Sequence, residues 1–329
     1  MGAVKLEPEK LNAIVGLHHV TAIASDPQRN LDFYTRILGL RLVKRTINFD
    51  DPGTYHFYFG DYKGSPGTIL TFFPWPNAKR GVVGSGEVAV TAFSVPASSL
   101  EFWEERLFAA GVPIELQLQR FGNHVLSLRD PDGMRLELVG HIDCGRADLS
   151  KEGEVPAEHA IQGFFGVTLN EADLEATGMV LEKMGFDRTD EEGNRFRFST
   201  KSEAPGRHID VLHQPDLEYG ELGAGSIHHL AFRASDDAAQ RTWREEILGL
   251  SLDVTPVLDR TYFHSIYFRE PGGVLFEIAT DPPGFSVDEP LETLGETLKL
   301  PDWLEPQRSK IERILPPIAL SPQRPNSEI

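Results

Sequence analysis

GLHHVTAIASDPQRNLDFYTRILGL, residues 16–40, returns in altered form as SIHHLAFRASDDAAQRTWREEILGL, residues 226–250. Both copies open with a His-His pair in an apolar run, reach Ala-Ser-Asp, continue with helical spacing and close on Ile-Leu-Gly-Leu. In each, the second His lies twenty residues before that Gly. Self-similarity at long range marks a repeated structural unit. Two weaker copies lie between: VAVTAFSV at 88–95, running to Ala110-Gly111, and GFFGVTL at 163–169, running to Met184-Gly185. Counting back twenty from Gly111 and Gly185 puts Thr91 and Phe165 at the position that His19 and His229 hold in the outer copies.

Each copy reads as strand, helix, then further strands. In the first, residues 20–24 form an apolar run, Ser25 or Asp26 is a helix cap with Pro27 in the first turn, and Leu31, Tyr34, Ile37 and Leu38 recur at helical spacing. Gly39 suits a left-handed helix end. Strands follow at 40–49, 55–60 and 68–73, punctuated by Asp51-Pro52-Gly53 and Ser65-Pro66-Gly67. The last copy places strands at 251–258, 262–268 and 274–280, with the turn Glu270-Pro271-Gly272-Gly273. The expected class is therefore α+β, built of four βαβββ modules. Residues 1–145 hold modules one and two, 146–161 a linker and 162–282 modules three and four. Residues 283–329 form a tail with one helix, about 303–315, and a disordered end from Ser321.

Bulk properties narrow the function. The chain has 329 residues, with 32 Lys and Arg against 50 Asp and Glu, a formal charge of −18. So acidic a chain repels phosphate backbones and anionic lipid, which argues against nucleic-acid and membrane partners. The single cysteine, Cys144, excludes an intrachain disulfide and a thiolate metal cluster. No signal peptide or transmembrane run is read, so the expected compartment is the cytoplasm.

A βαβββ sheet is covered by helix on one face and concave on the other, so metal ligands must point inward from first and last strands. Aligned on the Pro-Gly turns, the last-strand position is Glu277 in module four and Glu137 in module two. In module one it is Thr71 or Phe72, and in module three it lies near Asp210 and His213. Pairing modules one and four joins His19, His229 and Glu277, two imidazoles and a carboxylate. That is a facial set which leaves positions open for oxygen and substrate on non-haem iron(II). Modules two and three then make a metal-free cup. A lone His in a strand is ordinarily a hydrogen-bonded core residue. Two in one register with a buried Glu, which is costly without a cation, point instead to ligands. Glu137, in a cup without His, reads as a half-exposed strand carboxylate or as a partner for Arg129 or Arg135. His18 and His228, one residue before the ligands, fall nominally on the opposite face by strand alternation. Their residue type fits either a core His or support of the ligands and proton transfer. Thr21, two after His19, shares the ligand face.

GLHHVTAIASDPQRNLDFYTRILGLRLVKRTINFDDPGTYHFYFGD, GSPGTILTFFPWP, VPAEHAIQGFFGVTL, IHHLAFRASD and DRTYFHSIYFREPGGVLFEIAT together resemble the hydroquinone-type ring-cleaving dioxygenases. That group belongs to the glyoxalase, or vicinal-oxygen-chelate, superfamily. The resemblance runs from about Leu11 to the tail. It implies iron(II) on His19, His229 and Glu277, first-with-last module pairing, and an outer set of His18, Thr21, His228, Arg260 and Tyr267. It further implies cleavage of an aromatic diphenol by dioxygen. His18, His228 or Tyr267 would carry protons, and Arg260 would face the electron-rich ring or a distal oxygen. Manganese(II) accepts the same ligands, and a homo-oligomer is compatible with the sequence. Two other classes share the scaffold. An isomerase or thiol transferase would want a fourth protein ligand, which Thr71 or Phe72 does not offer. A protein that only sequesters a ligand would need no metal triad.

Overall fold

The computed structural model describes residues 13–141 and 153–320; Cys144, the N-terminal dozen residues, part of the linker and the end from Ser321 lie outside them. The first quarter of the chain supplies β1 (Leu17–Ala24), α1 (Pro27–Asp32), β2 (Arg41–Asn48), β3 (Asp51–Gly60) and β4 (Ile69–Pro74). The second supplies β5 (Glu87–Pro96), α2 (Leu100–Ala109), β6 (Ile114–Arg120), β7 (Asn123–Arg129) and β8 (Arg135–His141). After the linker come β9 (Phe164–Glu171), α3 (Leu174–Met184), β10 (Asp187–Glu192), β11 (Arg195–Ser199) and β12 (His208–His213). Then follow β13 (Ile227–Ala234), α4 (Asp237–Gly249), β14 (Leu258–Asp259), β15 (Phe263–Arg269) and β16 (Leu275–Pro283).

These strands form two eight-stranded sheets. One runs β14-β15-β16-β13-β1-β4-β3-β2 and the other β10-β11-β12-β9-β5-β8-β7-β6. The first and last quarters of the chain thus share one sheet, through antiparallel β1 and β13, as the ligand argument required. Local chemistry sets the helices beside them. Asp26 caps α1 by accepting from the Arg29 amide, and Pro27, needing no amide partner there, begins the helix. A π-helical turn, Phe33–Ile37, follows, and Gly39 takes φ +72 where the chain leaves it. Asp173 and Asp236 cap α3 and α4 in the same way.

The central strand pair carries a paired irregularity. The register shifts between Leu17 and His19, leaving His18 as the extra residue. It shifts again between Thr21 and Ala22, leaving His228 extra on the partner strand. The second sheet repeats this with Ala89 and Phe165. Such bulges twist the strand and re-aim a side chain.

Several local expectations fail for identifiable reasons. The turn expected at Asp51-Pro52-Gly53 lies at Phe49-Asp50 instead, where Asn48 Oδ1 accepts from the Asp50 amide and Asn48 pairs with Asp51. The strand expected at 251–258 reduces to a Val254–Phe268 bridge and the two residues of β14. Ser251 is at φ +60, and Pro256 has no amide to give. The tail helix is α5 (Arg308–Ile314), shorter than expected because Pro306 sits in the preceding 3-10 turn, Glu305–Gln307.

The tail also returns to the first sheet. Leu298 bridges Arg45. Phe285 and Leu294 pack with Val43, Tyr58, Tyr262 and Phe263. Lys44, fully buried, is held by Asp288 at 2.6 Å and Glu289 at 2.8 Å. Among the described residues no helix is long and apolar enough to cross a membrane.

Candidate metal centre

The sheet register fixes which positions correspond. Ala231 of β13 pairs with Glu277 of β16 and with His19 of β1, while Thr21 pairs with Thr71 of β4 and with His229. Ala92 pairs with Glu137 and Gly166, and Thr168 with Asp210 and Val90. The counterparts of Glu277 are therefore Thr71, Glu137 and Asp210. The counterparts of the two ligand histidines in the second sheet are Val90 and Gly166. Thr91 and Phe165 are each one residue off that register, and Phe165 takes the bulge position of His228.

His19, His229 and Glu277 converge. His19 Nε2 lies 3.4 Å from His229 Nε2 and 3.3 Å from Glu277 Oε2, and His229 Nε2 lies 3.0 Å from that same oxygen. All three are buried, and they are the one group of three or more His, Cys, Asp or Glu among the described residues with ligand atoms this close together. Ligands held at about 2.1 Å from one ion stand about 3.0 Å apart at right angles and about 3.4 Å apart at tetrahedral angles. The observed edges fall on that span. Glu277 Oε1 accepts from Ser265 Oγ, whereas Oε2 has no hydrogen-bond partner despite complete burial. A buried carboxylate oxygen within 3.3 Å of two imidazole nitrogens but hydrogen-bonded to neither is the arrangement that a cation between the three would satisfy.

The second sheet gives the contrast. Glu137 is clasped by both terminal nitrogens of Arg120, not by Arg129 or Arg135. Asp210 is clasped by Arg197 at 2.7 and 3.0 Å and also accepts from Arg195 at 3.1 Å. Arg129 instead bonds Glu115. Two buried carboxylates at the Glu277 position thus have guanidinium partners. The third faces two imidazoles.

The bulges overturn the expectation that His18 and His228 lie on the opposite face. Nδ1 of His18 is 2.9 Å from Nδ1 of His19, and the same atoms of His228 and His229 are 2.8 Å apart. In each pair the His19 or His229 ring can donate its Nδ1–H to the outer Nδ1, which leaves Nε2 of both inner rings free to coordinate. Burial holds His18 well below the usual imidazole range, with His19 adding to the effect. Burial, then His229, takes His228 down to about 4. Both are neutral at pH 7. Burial raises the Glu277 carboxyl, but His19 and His229 beside it bring it well below the usual range, so it is ionised.

Around this group stand the other expected residues. Tyr267 pairs with Glu277 across strands, and its ring centre is 5.6 Å from that of His229. Arg260 lies 5.5 Å from the Tyr267 ring centre and reaches Asp50 at 3.3 Å. Burial raises the Tyr267 hydroxyl, and the Glu277 charge adds to it, so it keeps its proton. Thr21 is fully buried and accepts from Thr71 Oγ1 at 2.8 Å. Sequence reasoning missed Ser265, His56, Tyr58 and Phe263. His56 bridges Tyr58 OH and Thr71 Oγ1, both at 2.9 Å, and the Phe263 ring centre sits 5.0 Å from that of His19. A signal existed: Tyr58 pairs with Thr71 as Tyr267 pairs with Glu277, so His56-Phe57-Tyr58 is the counterpart of Ser265-Ile266-Tyr267.

A family model described as Glyoxalase/Bleomycin resistance protein/Dioxygenase superfamily matches residues 16–138 and 167–278. A Bacillus subtilis (strain 168) protein named "Putative ring-cleaving dioxygenase MhqO" is 49% identical over 92% of this chain and 96% of its own. The chlorohydroquinone/hydroquinone 1,2-dioxygenase of Sphingobium indicum is 33% identical over 94% of this chain and 97% of its own. A crystal structure from Bacillus subtilis, 48% identical, superposes with a TM-score of 0.90 over 94% of this chain and 98% of its own. Maize glyoxalase I, only 13% identical, shares the fold at a TM-score of 0.61 over 81% of this chain and 92% of its own.

Proposed function

The chain belongs to the Glyoxalase/Bleomycin resistance protein/Dioxygenase superfamily, and from that premise we propose that it is an iron(II)-dependent dioxygenase that opens the ring of a substituted hydroquinone or related diphenol with molecular oxygen. The observation that carries the metal assignment is Glu277, a buried ionised carboxylate with one oxygen aimed at two imidazole nitrogens and no guanidinium to neutralise it. Iron(II) on this triad would supply Lewis acidity and open positions for the two reactants.

The protein's own groups then have separable tasks. His18 and His228 orient the inner rings by accepting at Nδ1, so each carries its own proton on Nε2 and can donate it to an oxygen of the substrate. Tyr267, protonated, donates toward an oxygen beside His229. Arg260 brings a positive charge over the same wall and favours an electron-rich ring. Buried aromatic side chains, Phe263 and Tyr58 among them, keep water from the reacting centre. An isomerase or thiol transferase would take a fourth ligand from the β4 position, and that position holds Thr71.

Oxygen uptake by iron(II)-loaded protein, measured on a panel of hydroquinones and catechols, tests the reading. Hydroquinones are expected to turn over with the higher kcat/KM. A tenfold preference for catechols, about 1.4 kcal/mol, would overturn the substrate class and keep the dioxygenase. No uptake with any diphenol would overturn the activity.

A further inference from the structure

Thr21 is the end of a directional chain of hydrogen bonds. Thr71 Oγ1 donates to Thr21 Oγ1 at 2.8 Å, which uses the only hydrogen of the Thr71 hydroxyl. The contact of 2.9 Å between Thr71 Oγ1 and His56 Nε2 must then be donated by His56. That places the imidazole proton on Nε2 and makes Nδ1 the acceptor for Tyr58 OH, 2.9 Å away. Every donor from Tyr58 through His56 and Thr71 points the same way, and the hydrogen left over is that of Thr21. Thr21 sits beside the triad, paired across strands with His229.

The internal symmetry supports a positioning task. His56 occupies in the first quarter of the chain the place of Ser265 in the last, on the strand next to the fourth-strand residue in each. Ser265 holds Glu277 by donating to Oε1. His56 holds Thr71 by donating to Oγ1, and through it fixes Thr21.

We propose that His56, backed by Tyr58, is a positioning residue that makes the Thr21 hydroxyl a committed hydrogen-bond donor into the site, so that the site favours an oxygen that only accepts, the phenolate of a bound ring. The proposal rests on the diphenol reading of the site. A neutral phenol can meet a freely rotating threonine hydroxyl as donor or as acceptor, whereas a phenolate can only accept, so a hydroxyl already committed as donor favours the phenolate.

The test uses full-length zinc(II)-loaded protein without turnover, with 4-nitrophenol as probe, since its phenolate absorbs in the visible. His56→Phe is expected to weaken phenolate binding about tenfold with metal content unchanged. His56→Gln, whose amide can still donate to Thr71, is expected to stay within threefold. In a Thr21→Val background, His56→Phe is expected to cost nothing more. Nitrogen-15 spectra of labelled histidine, assigned by difference from His56→Gln, should show the Nε2–H form. Losses that multiply in the double variant, an Nδ1–H form, or a wild type that binds no phenolate would each overturn the proposal. If the phenylalanine variant does not fold, the tautomer and the Gln and Thr21→Val variants still decide it. Tight phenolate binding with no cleavage of any diphenol by the iron form would instead overturn the proposed activity and leave this positioning role standing.

Discussion

Glu277 has one oxygen satisfied by Ser265 and the other by nothing but the approach of two imidazoles. Removing any of the three converging side chains should therefore remove the ion. His19→Ala, His229→Ala and Glu277→Ala are each expected to lose bound metal on elemental analysis, and full occupancy in one variant would strike that residue from the site. Ser265→Ala leaves the ligands in place but frees the carboxylate to turn, so metal affinity is expected to fall roughly 10–100-fold, read by competition with a chelator. The three converging residues were legible in the sequence because a repeat displays its exceptions: His stands at the first-strand position only in the outer copies, beside a Glu whose burial needs explaining. His56 was not legible in the same way. A strand His flanked by aromatic residues looks like core until the register aligns Tyr58 with Tyr267.

At the scale of elements, counting from helix ends misplaced the second sheet by one residue. Val90 lies twenty-one residues before Gly111 and Gly166 nineteen before Gly185, against twenty in the outer copies. The 3-10 turn at Ala97–Ser99 precedes α2, and no such turn precedes α3, so helix length is not a ruler for strand register. Bulges are equally invisible to a period of two, which is why His18 and His228 were expected on the wrong face. One junction between elements carries a measurable charge effect. Glu171, at the end of β9, is buried with both oxygens lacking partners, beside Glu270 in the turn before β16. Burial, then the charges of Glu270 and Asp173, pushes its carboxyl up to about 9. An unfolded glutamate titrates near ~4.3, so between those values the folded chain holds the extra proton. Its stabilising contribution is complete below the unfolded value and is lost as pH rises through about 9. Glu171→Gln is therefore expected to raise stability above that lower value, by up to about 4 kcal/mol near neutral pH. The gap should widen toward alkaline pH in denaturant titrations, and an unchanged pH profile would show that Glu171 is not the group.

Across the whole molecule, the repeat argument anticipated the sharing of one sheet by β1–β4 and β13–β16, because no pairing of neighbouring copies completes the ligand set. The tail's return over Lys44 was not anticipated, since nothing in its sequence names Asp288 and Glu289 as partners of a lysine some 240 residues earlier. We propose that the linker between residues 146 and 161 joins the halves of the metal-free cup and does not separate independent domains. A fragment of residues 158–329 keeps His229 and Glu277 but lacks His19 and the strands beside it, and is expected to bind no iron. A soluble fragment with one bound iron and dioxygenase activity would refute that arrangement. The same sheet also dictates when the site can exist at all. Glu277 lies 258 residues after His19, an interval that a ribosome adding about 5–20 residues per second takes roughly 13–50 s to cover. For most of that time His19 has emerged without either partner and for all of it without Glu277, so on the proposed ligand set a metal ion is expected to be captured only by a nearly finished chain, and a prematurely terminated product ending before β16 is expected not to withdraw metal from the cell.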